Sequence, residues 1–399
     1  MDNKEITFLF GSGISFPTGM ANIDDITESM LNGSWIKHTD SYYYKSETCS
    51  SVLLKEQNLI KLIFDKLDRY VKERKFKIGF SKITYEDIYC VLDQFNEFTF
   101  NNVENPVFLK FFDEIIDEAY TPEILPSQVN YEGDILDAPE FADLMRIFSD
   151  STDFVNWAIY WNLKKLKDGR DLSKAAIKGL NVLDEIKICD VINRANIFTL
   201  NHDCLLENYL GDACADGFDL CAEPISLYNK SNFISDRKFH LYKLHGSINW
   251  RTYSKRSSNT SVVCRTELDN IDQFERCDNT DYSPAYTAPS ILSGSLVKEY
   301  HYSYGIFFDM FHAFHTQLMK TKTLFVSGYG WKDYGINRRI MHWLQYSENT
   351  KVILLYDKTD SSPNNFLKFH VESFKPCERV IPIGKYLKDC ELKDLQPFI

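Results

Sequence analysis

Four short stretches of this chain put small or polar residues at the ends of apolar runs. The first is Gly11-Ser12-Gly13-Ile14-Ser15, with Pro17 and Gly19 after it, directly following Ile6–Phe10 (ITFLF). Glycines there let backbone N–H groups approach a phosphate, and a following helix N-terminus favours the anion. The same Gly-x-Gly also marks a plain sharp turn, and the full GxGxxG is absent because Phe16 stands three after Gly13. The second is Thr199-Leu200-Asn201-His202-Asp203, followed by Leu205, Leu206 and Glu207. Asn201 and Asp203 can present an amide and a carboxylate into a cleft, or simply cap the next helix. The third, Tyr242-Lys243-Leu244-His245-Gly246-Ser247-Ile248-Asn249-Trp250, puts a histidine on a turn. Its ring can face a cleft as an acid or base, or serve as a structural hydrogen bonder. The fourth is Ser327-Gly328-Tyr329-Gly330, then Asp333, Gly335, Ile336 and Asn337. Small residues between a strand and a helix suit a ribose or a second phosphate.

The elements that must position these residues are legible as short apolar runs. Ile6–Phe10, Asn196–Leu200 (NIFTL), His240–Leu244 (HLYKL), Thr323–Ser327 (TLFVS) and Val352–Tyr356 (VILLY) have strand composition and are separated by helical or polar stretches. Such alternation predicts an α/β fold, a Rossmann-like doubly wound parallel sheet covered on both faces. In that architecture ligands bind outside the carboxyl ends of the strands, where all four stretches fall. The expected organisation is a discontinuous nucleotide-binding domain, 1–30 and 190–399, interrupted by a helical insertion, 31–189.

Within the insertion, Leu59, Ile63, Leu67, Tyr70 and Val71 form one apolar helical face. Thr84 followed by Asp87 has capping-box spacing and opens a helix with Ile88, Leu92 and Phe95 on one side. Val107–Ala119, Glu140–Ser149, Phe154–Lys167 and Leu172–Ile188 carry further helical patterns, and Thr121–Pro139 reads as loop. Beyond it, Ser254–Asp281 is polar and reads as a long excursion or a flexible flap.

Bulk properties bound the function classes. Formal net charge is −12, from 45 Lys and Arg against 57 Asp and Glu. Broad electrostatic binding to nucleic acid is therefore disfavoured. The basic run Lys72–Lys77 (KERKFK) reads as a solvated helix end. The first apolar run is too short for a signal peptide, and no run approaches the ~18–20 residues that cross a bilayer. The 10 Cys are scattered with no CxxC pair, which predicts reduced thiols, a cytoplasmic location and no zinc ribbon or other metal.

In order and placement the four stretches resemble the successive motifs of sirtuin-like proteins. The closer likeness is to the bacterial branch found in antiviral defence, which Tyr85-Glu86-Asp87-Ile88 and Val91-Leu92 also fit. The resemblance covers about 1–30 and 190–360. Two departures separate the chain from the lysine deacylases of the family. The four-Cys zinc module is missing, and Pro17-Thr18-Gly19-Met20-Ala21-Asn22-Ile23 stands where they carry an Asp-Phe-Arg.

The resemblance implies an enzyme that uses NAD+ as substrate and releases nicotinamide and ADP-ribose, an abortive-infection effector that depletes the nucleotide. It implies catalytic roles for Asn201, holding the water or ribose hydroxyls, and for His245, taking a proton. Gly11, Ser12, Gly13 and Ser15 would line the pyrophosphate. Asp203 would face the nicotinamide or position its loop, and Ser327, Gly328 and Asp333 would face the adenosine. Restraint by homo-oligomer packing or by a HerA-type ATPase partner follows from the same resemblance. Two other readings stand beside it: a non-catalytic sensor of NAD or ADP-ribose, and a protein deacylase or ADP-ribosyltransferase.

Overall fold

The computed structural model describes residues 4–45, 53–74, 82–100, 106–125, 141–222, 225–258, 260–266, 281–294, 298–303, 305–356 and 379–399. In chain order the strands are β1 (Lys4–Phe10), β2 (Trp35–His38), β3 (Ser41–Tyr44), β4 (Ile192–Thr199), β5 (Cys214–Ala215), β6 (Phe218–Ala222), β7 (Ile225–Tyr228), β8 (Phe239–Lys243), β9 (Trp250–Lys255), β10 (Thr260–Arg265), β11 (Tyr282–Tyr286), β12 (Thr323–Ser327), β13 (Lys351–Leu355) and β14 (Val380–Pro382). The helices are α1 (Ile23–Asn32), α2 (Lys55–Glu73), α3 (Tyr85–Phe100), α4 (Pro106–Ala119), α5 (Phe141–Lys164), α6 (Asn181–Ile188), α7 (Leu205–Leu210), α8 (Lys298–His301), α9 (Gly305–Lys320), α10 (Tyr334–Tyr346) and α11 (Leu392–Leu395). The chain divides into two compact units. One comprises Met1–Ala21, Leu163–Leu292 and Lys298–Ile399, and the other Asn22–Asn162 with Ser293–Val297.

The first unit is built on a seven-stranded sheet of order β14-β13-β12-β1-β4-β8-β5. Each neighbouring pair is parallel. From Ile6 to Phe10 every residue of β1 is buried, as expected for a central strand covered on both faces. On one face Leu9, Phe198, Leu324, Val326, Val352 and Leu354 pack with Met310, Phe314 and Leu318 of α9 and with Ile336, Ile340 and Trp343 of α10. On the other, the Phe8 ring packs at a tilt against those of Phe10 and Phe325. The chain leaves β1 towards β4 on one side and later returns as β12 on the other, so strand order reverses between β1 and β12. That reversal opens a crevice at their carboxyl ends.

A second, five-stranded sheet of order β11-β9-β10-β7-β6 belongs to the same unit. It corrects the expectation of a loose excursion over Ser254–Asp281. Thr260–Arg265 pairs antiparallel with both β9 and β7, and Cys264 packs with Ile225 and Tyr253 in a small core. The stretch is polar on average, yet within β10 Cys264 is buried and Val262 and Val263, on opposite faces, are partly buried against the small and the main core. Residues 267–280 lie outside the described part. Leu172–Ile188 is also not one helix. Gly179, at φ 83°, separates a short 3-10 turn (Leu172–Lys174) from α6.

The second unit carries α1 to α4, most of α5 and the hairpin β2–β3, whose strands sequence reading placed among helices. Leu59, Ile60 and Ile63 of α2 are fully buried, whereas Tyr70 emerges to solvent near its end. Two expected helices, Glu140–Ser149 and Phe154–Lys167, are one: α5. The intervening Asp150-Ser151-Thr152-Asp153 is polar but is held within the helix by one local bond and one distant ion pair. Thr152 Oγ1 donates to the Phe148 carbonyl at 3.0 Å and Lys37 pairs with Asp150 at 2.5 Å. At the start of α3, Thr84 Oγ1 donates to Asp87 Oδ2, and Asp87 also accepts from the Thr84 N–H. Of the basic run, Lys72 is exposed at the end of α2, and Lys75–Lys77 lie outside the described residues, as does 126–139 of the expected loop. No described helix is long and apolar enough to cross a membrane.

Candidate functional site

The loops after β1 and β12 close on each other at the crevice. Gly11 N–H donates to the Ser327 carbonyl and Gly13 N–H to the Gly328 carbonyl, each at 3.0 Å. A Cβ on Gly11 would lie 2.5 Å from Gly328 O, and one on Gly328, itself at φ 66°, would lie 2.6 Å from Ile14 N. The glycines are therefore demanded first by this contact between loops, and their N–H groups are engaged in it. Above the contact lies a cavity of about 710 Å³, lined among others by Ser12, Gly13, Ser327 and Gly328. Trp331, also in its wall, takes a left-handed φ of 57°. For a residue with a side chain this is a strained conformation, held here by Asn337 donating to its carbonyl.

A second constellation forms where β4 ends. Ser15 is buried and its hydroxyl donates to Asp203 Oδ2 at 2.8 Å while accepting from Asn201 Nδ2 at 3.1 Å. Asp203 Oδ1 accepts the Leu205 N–H at the start of α7, and Thr199 Oγ1 accepts the Asn201 N–H. These bonds fix the Asn201 side chain, yet its Oδ1 is buried with no partner. A buried amide oxygen left unpaired costs about 1–3 kcal/mol and is satisfied when a ligand hydroxyl or water reaches it. Lys243, fully buried, donates to the Asp203 carbonyl and pairs with Glu207 at 2.8 Å. Burial acts to lower the Lys243 pKa, but Glu207, Cys204 and Asp203 outweigh it and raise it overall.

The third constellation follows β8. Gly246 stands at φ 76°, and a Cβ there would meet Ser290 O at 2.2 Å, so only glycine permits this turn. The turn carries His245 inward. Its Nε2 lies 2.8 Å from Asp333 Oδ2 and 2.6 Å from Tyr302 Oη. Tyr302 also donates to Asp333 Oδ2, and Asp333 Oδ1 accepts the Ile336 N–H as the cap of α10. All three side chains are buried. Burial alone would raise the Asp333 pKa, yet the His245 hydrogen bond and charge, with Lys298, hold it below the usual carboxylate range. Burial pushes the Tyr302 phenol well up, with Asp333 adding to it. A carboxylate on Nε2 favours the tautomer in which that nitrogen carries the N–H.

His202 joins the last two constellations. Its ring centroid is 6.1 Å from that of His245, and its carbonyl accepts the Ile248 N–H. Burial drives its pKa well down, and His245, Lys298 and Lys243 push the same way, so it is neutral near pH 7.

The structure thus sorts the residues singled out from sequence. Ser12, Gly13, Ser327 and Gly328 share the crevice, with Gly11 beneath it. Ser15 is bonded to Asn201 and Asp203, and Asp333 to His245; neither Ser15 nor Asp333 is among the residues that line the crevice, although the neighbours of Ser15, Ile14 and Phe16, are. Tyr302 went unnoticed, because nothing in the run around it marks a hydroxyl destined for a histidine 57 residues upstream.

A family model described as a SIR2-like domain matches residues 195–373, somewhat under half of the chain. Among solved structures, a SIR2 homolog–NAD complex aligns at 12% identity over 96% of this chain and 85% of that one, with a TM-score of 0.39. SIR2 with the inhibitor EX-527, 2′-O-acetyl-ADP-ribose and a deacetylated p53 peptide aligns at 10% identity over 99% and 94%, with a TM-score of 0.34. Sir2Tm bound to a propionylated peptide gives 10% identity, 99% and 92% coverage and a TM-score of 0.34. No curated protein matches the chain. The matched span holds Asn201, His202, Asp203, His245, Tyr302, Ser327, Gly328 and Asp333, and across it the chain is similar to a SIR2-like domain.

Proposed function

We propose that the chain is an NAD+ glycohydrolase, with NAD+ as substrate and nicotinamide and ADP-ribose as products. The observation that carries this reading is the buried His245–Asp333 pair, Nε2 to Oδ2 at 2.8 Å; beside it stand Asn201, whose Oδ1 is unpartnered, and its neighbour His202, whose ring centroid is 6.1 Å from that of His245. Support also comes from the SIR2-like match and from a crevice of nucleotide size at the reversal of strand order.

In NAD+ the pyridinium nitrogen already carries the positive charge, so nicotinamide leaves neutral with the bonding pair and needs no general acid. The protein must hold the ribose, place a water and accept one proton. Ser12, Gly13, Ser327 and Gly328 would line the phosphate and adenosine side. Asn201 Oδ1 would accept from a ribose hydroxyl or the attacking water, with Ser15 and Asp203 positioning the amide. As the C–N bond breaks, water oxygen bonds the anomeric carbon and gives its proton to the His245 ring. Asp333 then stabilises the imidazolium, as a buried carboxylate does behind a catalytic histidine.

In the same reading, 1–30 with 190–399 forms the catalytic domain and 31–189 the insertion that docks partners. The enzyme acts in the cytoplasm as an antiphage effector, restrained by homo-oligomerisation or a HerA-type ATPase. The test is nicotinamide release from NAD+ by purified protein, alone and with candidate ATPase partners. Release that disappears in a folded His245→Ala protein is expected. No release under any condition, with ADP-ribose still bound, would move the assignment to a sensor.

A further inference from the structure

Strand β8 ends on a buried charge. Lys243 is its last residue, 2% exposed, and stands two residues ahead of His245. Strands β4 and β8 run parallel with Thr199 opposite Lys243, and the Leu244 N–H donates to the Thr199 carbonyl at 2.9 Å. The two strands therefore finish side by side. One leads into Asn201-His202-Asp203, the other into the turn that carries His245.

Lys243 Nζ donates to the Asp203 carbonyl and pairs with Glu207 Oε1 of α7 at 2.8 Å. The Glu207 side chain is itself only 12% exposed. Taking two charges out of water is costly, and apolar side chains of similar volume can fill such a place with no loss of stability. An apolar pair, however, cannot grip a carbonyl oxygen. The ammonium ties three segments at one point: the end of β8, the loop after β4 and the first turn of α7.

The tie reaches the Asn201 amide through Asp203. Asp203 Oδ2 accepts from the Ser15 hydroxyl at 2.8 Å, and Ser15 accepts from Asn201 Nδ2 at 3.1 Å. A shift of the Asp203 backbone is thus carried through Ser15 to Asn201, while His245 stays on the strand that holds Lys243.

We propose that Lys243 is a positioning residue: with Glu207 it fixes the loop of Asn201 and Asp203 relative to His245. It acts through Asp203 and not on the substrate. A displacement of about 1 Å between reacting groups can cost ~10²-fold in rate. This catalytic consequence rests on the NAD-cleaving reading, whereas the tie itself does not.

The test separates positioning from mere support of the fold. Lys243→Met alone leaves Glu207 buried without its cation and is expected to melt early. Lys243→Met/Glu207→Leu removes both charges and is expected to melt close to wild type. In that folded double variant, deuterium exchange of the full chain over residues 199–206 should run at least about tenfold faster, because the loop has lost its grip. Exchange across β1 should be unchanged. Nicotinamide release should fall about 10–100-fold in kcat with little change in KM, since the crevice is untouched. Glu207→Gln, which keeps an acceptor for Lys243 but removes the charge, gives the same comparison should the double variant not fold, with a rise in exchange of about threefold or more.

Unchanged exchange over 199–206, or an equal rise throughout the chain, would overturn the proposal whether or not the protein cleaves NAD. So would recovery of wild-type kcat together with wild-type melting. A wild-type chain that releases no nicotinamide sinks the NAD-cleaving reading alone, and the exchange comparison still decides what Lys243 holds.

Discussion

Asp333 holds two roles with its two oxygens: Oδ2 accepts from His245 Nε2 at 2.8 Å, and Oδ1 caps α10 through the Ile336 N–H at 2.9 Å. The first orients an imidazole, and the second anchors the carboxylate to a helix, so the pair is rigid. Substitution separates the two roles. Asparagine caps helices about as well as aspartate but cannot stabilise an imidazolium. Asp333→Asn is therefore expected to keep its melting temperature within a few degrees while nicotinamide release falls by about 10²–10⁴-fold. Wild-type turnover in that variant would remove Asp333 from the mechanism.

Asn201 and His245 stand at the centre of the proposed chemistry. Losing the acid/base group should lower NAD cleavage by about 10²–10⁴-fold in His245→Ala. Asn201→Ala should also abolish cleavage, because it removes the only part of the Ser15–Asn201–Asp203 set with an unpartnered acceptor oxygen. Nicotinamide release and circular dichroism on each variant separate lost chemistry from lost fold.

His202 predicts a pH effect on stability. Its folded-state pKa is well below the ordinary value because the ring is buried beside His245, Lys298 and Lys243. Below about pH 6.5 the unfolded chain binds a proton that the native ring refuses, so this contribution is full above that pH and lost as pH falls. The loss amounts to about 1.4 kcal/mol per pH unit at most, down to the folded-state pKa. Urea unfolding at pH 7.5, 6.5 and 5.5 should show a steeper acid loss in wild type than in His202→Gln. Equal slopes would show that the ring titrates normally.

Gly328 combines a left-handed φ with contact against the β1 loop. Gly328→Ala adds a Cβ 2.6 Å from Ile14 N and should destabilise the fold by about 2 kcal/mol or more. It should also weaken nucleotide binding, since the crevice wall must shift. Gly330→Ala, where a Cβ meets nothing within 4 Å, serves as the control in the same melting and binding assays.

Much of the parallel sheet could be read from the chain because buried strands are short apolar runs that end in small residues. Ile6–Phe10 and Thr323–Ser327 are of this kind, and both fall in adjacent central strands. The second sheet escaped the same reading. Thr260–Arg265 mixes polar and apolar residues on both faces, and it is held by partners β7 and β9 that no local window contains. Helix α5 escaped for a related reason: the Ser-Asp-Ser-Thr-Asp run in its middle is compensated by Lys37, more than 110 residues earlier.

What the sequence determined by itself was the inventory: four loops with glycines, an amide, a carboxylate and a histidine, each after an apolar strand. Those signals are local, because turn chemistry and burial leave their mark within a few residues. Tertiary structure alone decided the groupings. It drew Ser15 from the first loop to Asn201 and Asp203, set Asp333 and Tyr302 on His245 across 88 and 57 residues, and used the Gly11 and Gly13 N–H groups to join two loops. Such pairings arise where a parallel sheet gathers the carboxyl ends of strands distant in sequence, and no spacing along the chain encodes which side chains then meet.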